Sequence, residues 1–323
     1  MNVLVTGNLP HDIASPLKRF NVTAHGQDRP MEREALLSAV RKKHGLLCMI
    51  TDRIDEELLD QAPDLKMVAN YGVGFNNIDV EAATVRGILV SNTPGVLTNA
   101  TADLTMALIL AVGRRVAEGD TYTRQGRFQF WAPFHFLGHE ITGKTLGIIG
   151  LGRIGAAVAR RAAGFEMPVL YHNRTRLPME EEETVNARYV DFDTLLQQSD
   201  FVSLHVPLTQ KTRHLIGERE LNVMKPGAYL INTARGPVVD EAALLEALKQ
   251  KQIAGAGLDV YEHEPVLTPG LDQLANVILL PHMGSATENT RRRMGAMAVD
   301  NLIAGLEGRT PPNLINRIPD KTI

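Results

Sequence analysis

Cysteine occurs once in this chain, at Cys48, so no disulfide can form within it. Cys48 sits in the apolar run Leu46-Leu47-Cys48-Met49-Ile50, which marks it as a buried small hydrophobe rather than a reactive thiol. An excess of one charge is also lacking. Lys and Arg total 34 against 37 Asp and Glu, a formal net charge of -3, so no broad electrostatic attraction draws the chain to nucleic acid or an anionic membrane. Long hydrophobic runs are missing too. The most apolar helical stretch, Leu104 to Val112, falls short of the roughly 20 residues that span a bilayer. The opening MNVLVTGNLP has no basic region leading into an apolar one, so it does not read as a signal peptide. These absences predict a soluble, cytoplasmic protein with no nucleic-acid or membrane partner, and no metal site is expected.

What is present is ordinary for an enzyme-sized globular protein. Hydrophobic residues are 44% and charged residues 22%, and 323 residues leave room for about two domains. Short apolar runs alternate with helical patterns. NVLVTG, GLLCMI, KMVANYG and ILVSNT read as strands in the first hundred residues. Helical patterns run from Met31 to Lys43, Asp55 to Gln61 and Asp79 to Arg86. Such alternation predicts parallel α/β organisation. One long helix is expected from Thr101 to Ala117. Aromatics are only 5% of the chain, yet they crowd into TRQGRFQFWAPFHFLGHEITGK, residues 123–144, which lacks periodicity and reads as an irregular surface arm. A second series follows: TLGIIG, PVLYHN, FVSLHV, AYLINT, GAGLDV and VILLPH. The last helix is placed at Glu288 to Leu306, before the proline-rich tail RTPPNLINRIPDK. The acidic run Glu180 to Glu183 reads as a solvated face.

The second series opens with G-x-G-x-x-G, as Gly150-Leu151-Gly152-Arg153-Ile154-Gly155. The motif alone is weak. Here it follows the strand Thr145–Ile149 and opens a helix over Ile154–Ala163, the context a dinucleotide site requires. Gly150 serves the tight turn, Gly152 lets backbone approach a pyrophosphate, and Gly155 lets helix pack on strand. The helix N-terminus offers free N–H groups to the anion. About 20 residues on, an acid would bind the ribose of NAD. The chain has Asn173-Arg174-Thr175 there instead. A carboxylate would repel a 2′-phosphate, whereas an arginine binds it. NADP(H) is therefore favoured, with NAD(H) through Asn173 the alternative.

A charged residue ends one apolar strand: Tyr229-Leu230-Ile231 runs into Asn232-Thr233-Ala234-Arg235-Gly236. Arg235 is either an ordinary loop residue or one that waits for an anion. Two later strands end in Asp259 to Glu264 and in Pro281-His282. In an open parallel sheet, strand C-termini line the ligand crevice, so all three segments fall on the dinucleotide edge. Singly, each residue has an ordinary structural explanation. Together they form a chemical set: arginine pins an anionic substrate, histidine moves a proton, and a carboxylate orients the imidazole.

These motifs resemble the D-isomer-specific 2-hydroxyacid dehydrogenase family over nearly the whole chain. The resemblance rests on residues 68–95, 143–155, 203–217, 224–244, 255–265 and 280–287, in that order. It implies two doubly wound parallel-sheet α/β domains. A Rossmann dinucleotide-binding domain, residues 101–287, would be inserted into a flavodoxin-like substrate-binding domain made of 1–100 and 288–323, with the helices near 101 to 119 and 288 to 306 crossing between them. It also implies reduction of a 2-oxoacid by hydride from the nicotinamide. His282 matches the proton donor, Glu264 the partner that raises its pKa, and Arg235 the group that binds the carboxylate and polarises the keto oxygen. On this reading the Arg235 charge is left unpaired until the substrate arrives. The backbone at Val73-Gly74 matches the carboxylate cradle. Asp259 matches the position beside the nicotinamide carboxamide, and Thr101 and Arg153-Ile154 match cofactor contacts. Thr233, Ala234 and Gly284 are counted to the cofactor side, and His205 and Pro207 are adenosine-pocket walls.

The aromatic arm looks most like the glyoxylate/hydroxypyruvate reductase branch. There, an aromatic of one subunit of a homodimer can reach the partner's active site. Trp131, the single tryptophan, is the candidate, and dimer packing is the alternative role. D-3-phosphoglycerate dehydrogenase or another D-2-hydroxyacid dehydrogenase remains an alternative. So does a dinucleotide-sensing relative of the corepressor type.

Overall fold

The computed structural model describes residues 1–318; the end of the proline-rich tail, from 319, lies outside the described residues. The chain forms two compact units, one of residues 1–97 with the C-terminal segment from Ala286, the other of Thr98–Ser285.

The first unit is built on five parallel strands: β1 (Asn2–Val5), β2 (Asn21–Ala24), β3 (Gly45–Met49), β4 (Met67–Tyr71) and β5 (Leu89–Ser91). Their spatial order is β2-β1-β3-β4-β5, the doubly wound order of flavodoxin-like sheets. β3 and β4 are buried at nearly every position, as expected of strands covered on both faces. One face packs on the helices Arg33–Ala39, Glu56–Asp60 and Val80–Val85 through Leu36, Leu58 and Ala83. The other packs on the helix Glu288–Leu306 through Ala298, Val299 and Leu302. Burying a side chain such as Leu302 contributes about 1.5–3 kcal/mol. The tail returns along β5, where the buried Asn316 accepts from Val90 N at 2.8 Å and donates to Ile88 O at 2.9 Å.

The second unit holds seven parallel strands: β6 (Leu146–Ile149), β7 (Val169–His172), β8 (Ala187–Tyr189), β9 (Phe201–Leu204), β10 (Tyr229–Asn232), β11 (Gly255–Leu258) and β12 (Val277–Leu279). They lie in the order β12-β11-β10-β9-β6-β7-β8. The order reverses between β6 and β9, and that reversal is the switch point where a dinucleotide is expected. The helices Thr98–Gly113 and Arg153–Ala162 cover one face. Those at Phe192–Gln198, Glu218–Val223 and Glu241–Lys249 cover the other.

Helix starts follow the sequence closely. Asp55, Asp79, Asp191 and Asp240 each accept the N–H three residues on, an N-cap worth about 1 kcal/mol. The long helix expected from Thr101 to Ala117 is instead two, Thr98–Gly113 and Val116–Arg124, broken where Arg115 has φ 55°. The arm causes the break. His139 N takes the Gly113 carbonyl at 2.7 Å. Arg115 donates to Leu137 O at 3.0 Å and lies 4.4 Å over the Phe136 ring. The helix expected from Met31 to Lys43 is shorter, Arg33–Ala39. The acidic run is not wholly solvated. Glu182 is buried and takes Arg176 at 2.8 Å through both carboxylate oxygens and the Tyr171 hydroxyl at 2.5 Å. Arg176 first, then Tyr171, holds its carboxyl down to about 2.

Candidate active site

The glycine turn after β6 has the geometry its spacing predicts. Gly150 has φ +98°, and a Cβ there would stand 2.8 Å from the backbone of His205 at the end of β9. A Cβ on Gly155 would stand 2.4 Å from the Gly150 carbonyl. Both positions therefore need glycine for reasons inside the protein. Gly152 differs. Its φ is -92° and a Cβ would meet no protein atom within 4 Å. The open space over Gly152, at a helix N-terminus with no side-chain cap, fits an anionic group brought against backbone. The dinucleotide pyrophosphate fits this cradle, with the exposed Gly152 and Arg153 and the half-buried Ile154 around it.

The residues after β7 divide into different roles. Asn173 Oδ1 accepts the Leu151 N–H at 2.7 Å, so it braces the glycine turn. Arg174 and Thr175 are exposed, while Arg176 is engaged by Glu182. His205 lies beside Gly150, with Nε2 2.9 Å from Ser203 Oγ, and burial lowers its pKa to about 4. The imidazole is neutral at physiological pH. Pro207 is exposed, its carbonyl taking Thr212 Oγ1 at 2.6 Å.

The ends of β10, β11 and β12 converge on a second cluster. After β12, His282 adopts φ 51°, and its Nδ1 lies 2.7 Å from Glu264 Oε2. The other Glu264 oxygen accepts Tyr261 N–H at 3.1 Å. Burial pushes the Glu264 carboxyl up, but hydrogen bonding and charge from His282, the Tyr261 amide and Arg235 outweigh it, so the group sits below the usual carboxylate range. The His282 segment is held throughout. Tyr261 Oη donates to Leu280 O at 2.7 Å. The buried Asp259 accepts Met283 N at 2.7 Å and Gly284 N at 2.8 Å. Thr101 Oγ1 donates to Gly284 O at 3.1 Å. Asp259 is thus a backbone clamp on the histidine loop, its carboxyl raised by burial against the two amides that lower it.

Arg235 stands at the end of β10. The expectation that its charge has no partner is corrected by the structure: Nη1 donates to Ala234 O at 2.7 Å, and Glu264 acts on it electrostatically. Burial lowers its pKa and Glu264 opposes that. Its turn is fixed by Asn232, a buried residue that sequence reasoning missed. Asn232 Nδ2 donates to Arg235 O and Oδ1 accepts Ala234 N, both at 3.0 Å. The signal was there: an amide closing an apolar strand needs partners for all its polar atoms. Gly236 then passes so near Tyr261 that a Cβ would lie 1.7 Å from the Tyr261 carbonyl oxygen.

Thr105 was also missed. Its hydroxyl donates to Thr101 O at 2.8 Å and lies 2.9 Å from Thr233 Oγ1. One hydroxyl carries one proton, so Thr233 is the donor of the second bond. Trp131 is 78% exposed on the arm, with Phe130 and Phe134 also exposed, and no Trp131 contact brings it to this cluster among the described residues. Val73 and Gly74 belong to the first unit.

A glycine cradle for a dinucleotide and a carboxylate–imidazole–arginine set at neighbouring strand ends describe a nicotinamide-dependent oxidoreductase. A profile described as D-isomer specific 2-hydroxyacid dehydrogenase, NAD binding domain, matches residues 106–284. The chain is 52% identical over 320 residues to a glyoxylate reductase of Thermococcus litoralis, covering 98% of this chain and 96% of that one. The fold is similar to a glyoxylate reductase from Paecilomyes thermophila, with TM-score 0.86, 38% identity and coverage of 99% and 98%. It is also similar to an NADPH-dependent glyoxylate/hydroxypyruvate reductase from Sinorhizobium meliloti solved with NADP and malonate, with TM-score 0.87, 33% identity and coverage of 100% and 99%. The chain belongs to the D-isomer specific 2-hydroxyacid dehydrogenase family.

Proposed function

We propose that this protein reduces glyoxylate or hydroxypyruvate to the corresponding 2-hydroxyacid, of D configuration where a stereocentre forms, with NADPH preferred over NADH. The observation that carries the reading is the 2.7 Å pair between His282 Nδ1 and Glu264 Oε2, beside Arg235. The full-length likeness to glyoxylate reductases supports the substrate class. The first unit would serve the substrate and the second the dinucleotide.

When bound, the nicotinamide supplies hydride to the keto carbon. His282 Nε2, the nitrogen not engaged by Glu264, gives a proton to the keto oxygen. The Glu264 carboxylate orients the ring and stabilises its protonated form. Arg235 binds the substrate carboxylate and polarises the keto group, an interaction that strengthens as negative charge builds on the oxygen. Asp259, Tyr261 and Thr101 keep the histidine loop in place. Arg174 and Thr175, both exposed after β7, take the 2′-phosphate, and no acid stands there to repel it. A homodimer of cytoplasmic location, with Trp131 of the arm serving the subunit contact, completes the reading. The exposure of Phe130, Trp131 and Phe134 supports the subunit contact.

Steady-state reduction of glyoxylate and hydroxypyruvate with NADPH and NADH in parallel tests the proposal. Turnover with either acid, faster with NADPH, is the expected result. No turnover with either would remove the substrate reading and leave the family.

A further inference from the structure

In the first unit, the loop that leaves β4 has its carbonyls tied down one after another. Asn70, fully buried at the end of β4, donates through Nδ2 to Gly72 O at 3.3 Å and Gly74 O at 2.8 Å. Thr93 N also donates to Gly72 O at 3.0 Å. The carbonyl between them, Val73 O, takes Asn92 Nδ2 at 2.7 Å. Three successive peptide oxygens are therefore held by fixed donors.

A trans peptide places its N–H opposite its C=O. Tying the carbonyls of Gly72, Val73 and Gly74 thus turns the N–H groups of Val73, Gly74 and Phe75 away from those anchors. Among the described residues none of the three amides donates to a protein acceptor. Val73 and Gly74 are half-buried and Phe75 is exposed. Successive backbone amides without a protein acceptor, where the chain turns away from a strand end, can line an anion site.

The Asn70 amide has only one workable orientation. Asn77 Nδ2 donates to its Oδ1 at 3.3 Å and Cys48 Sγ approaches the same oxygen at 3.6 Å. Oxygen faces donors and nitrogen faces carbonyls, so a carboxylate could not replace it. Gly72 closes the fit, since a Cβ there would lie 2.4 Å from Ile50 Cγ2.

We propose that Asn70 and Asn92 are positioning residues for a carboxylate cradle made by the amides of Val73, Gly74 and Phe75. They touch no substrate themselves and act by aiming the backbone. The proposal rests on the reading of the protein as a 2-oxoacid reductase. It adds two side chains, far apart in sequence, that set affinity for the substrate carboxylate.

Asn70→Ala and Asn92→Ala test it, compared with the native chain by glyoxylate kinetics with NADPH and by oxalate titration of the NADP-bound protein. Each variant should raise KM for glyoxylate and Kd for oxalate about tenfold or more, with kcat lowered less and NADPH affinity within twofold. A general structural defect would instead lower kcat and NADPH affinity together, and that result would overturn the proposal for either residue. So would KM and oxalate Kd within twofold of native in both variants. Asn92 is the second variant because it holds a different carbonyl from a different strand end, so failure of Asn70→Ala to fold leaves the question answerable. If the native chain reduces no glyoxylate, the functional reading fails and oxalate alone decides: tenfold weaker binding in the variants upholds the cradle, while absent or unchanged binding removes it.

Discussion

Gly236 and Tyr261 approach so closely that one added carbon at Gly236 would overlap the Tyr261 carbonyl, at 1.7 Å. That approach brings the turn carrying Arg235 against the segment that leads into Glu264. Gly236→Ala must push the two apart, because backbone on both sides leaves no flexible side chain to give way. Overpacking of this kind costs about 1–3 kcal/mol, or several degrees of Tm in a domain of this size. The functional effect should exceed the stability effect, since displacing a catalytic group by roughly 1 Å costs about a hundredfold in rate. Expected are a modest fall in Tm and a fall in kcat/KM of about a hundredfold. Native kinetics in the variant would show that Arg235 and Glu264 need not be held in register.

His282 and Glu264 should separate chemistry from binding. On the proposed mechanism His282→Ala removes the proton donor, and it should lower kcat by about 10²–10⁴-fold, the usual share of a general acid. NADPH affinity measured by fluorescence titration should stay within a factor of two or three. Glu264→Gln keeps the size but removes the charge proposed to stabilise the imidazolium, and its single amide oxygen cannot accept from both the Tyr261 N–H and a protonated His282 Nδ1. Its loss in kcat should be smaller than that of His282→Ala and larger than tenfold. Equal loss of turnover and dinucleotide binding in both variants would make the pair structural.

The two sheets were legible wherever strands are buried on both faces. β3, β4, β6, β9 and β10 announce themselves as apolar runs. β2 and β8 did not, and both are edge strands. Asn21–Ala24 is exposed at every position and Ala187–Tyr189 is buried only at Ala187, so neither carries the hydrophobic signal. The helix break at Arg115 is imposed by a loop more than twenty residues later, which no local pattern reports. Arg235, Glu264 and His282 drew attention as candidates because charged or titratable groups stand where apolar strands end, and the structure brings Glu264 and His282 within 2.7 Å. Asn232 and Asn70 escaped notice for a related reason. Their function is to satisfy backbone atoms of neighbouring turns, and an asparagine in a turn looks ordinary until its partners are known. Glu182 was misjudged because its run of four acids hides one residue that faces inward to Arg176.

His205 gives the fold a pH dependence with a definite sign. Burial lowers its pKa from 6.5 to about 4. Between those values the unfolded chain binds a proton that the folded chain refuses, so acidification destabilises the protein. Above pH 6.5 both states are neutral and His205 contributes nothing. His205→Gln, measured without nucleotide, should therefore lose less Tm than the native chain between pH 7 and pH 4.5. Other groups titrating in the window affect both proteins alike. Parallel curves would mean that His205 titrates in the folded protein as it does in the unfolded one.

Two arginines follow β7, and the structure gives them opposite fates. Arg174 is exposed beside the Asn173 that braces the glycine turn, while Arg176 is held by the buried carboxylate of Glu182 at 2.8 Å. Arg174→Asp puts a negative charge where the proposed 2′-phosphate site lies and should lower the ratio of kcat/KM with NADPH to that with NADH by at least tenfold. Arg176→Ala should leave that ratio within about twofold and lower Tm instead, because Glu182 keeps only the Tyr171 hydroxyl. The two variants form one experiment. A shift in preference from Arg176→Ala with none from Arg174→Asp would reverse the assignment, since it would mean that Arg176 leaves Glu182 when the nucleotide binds.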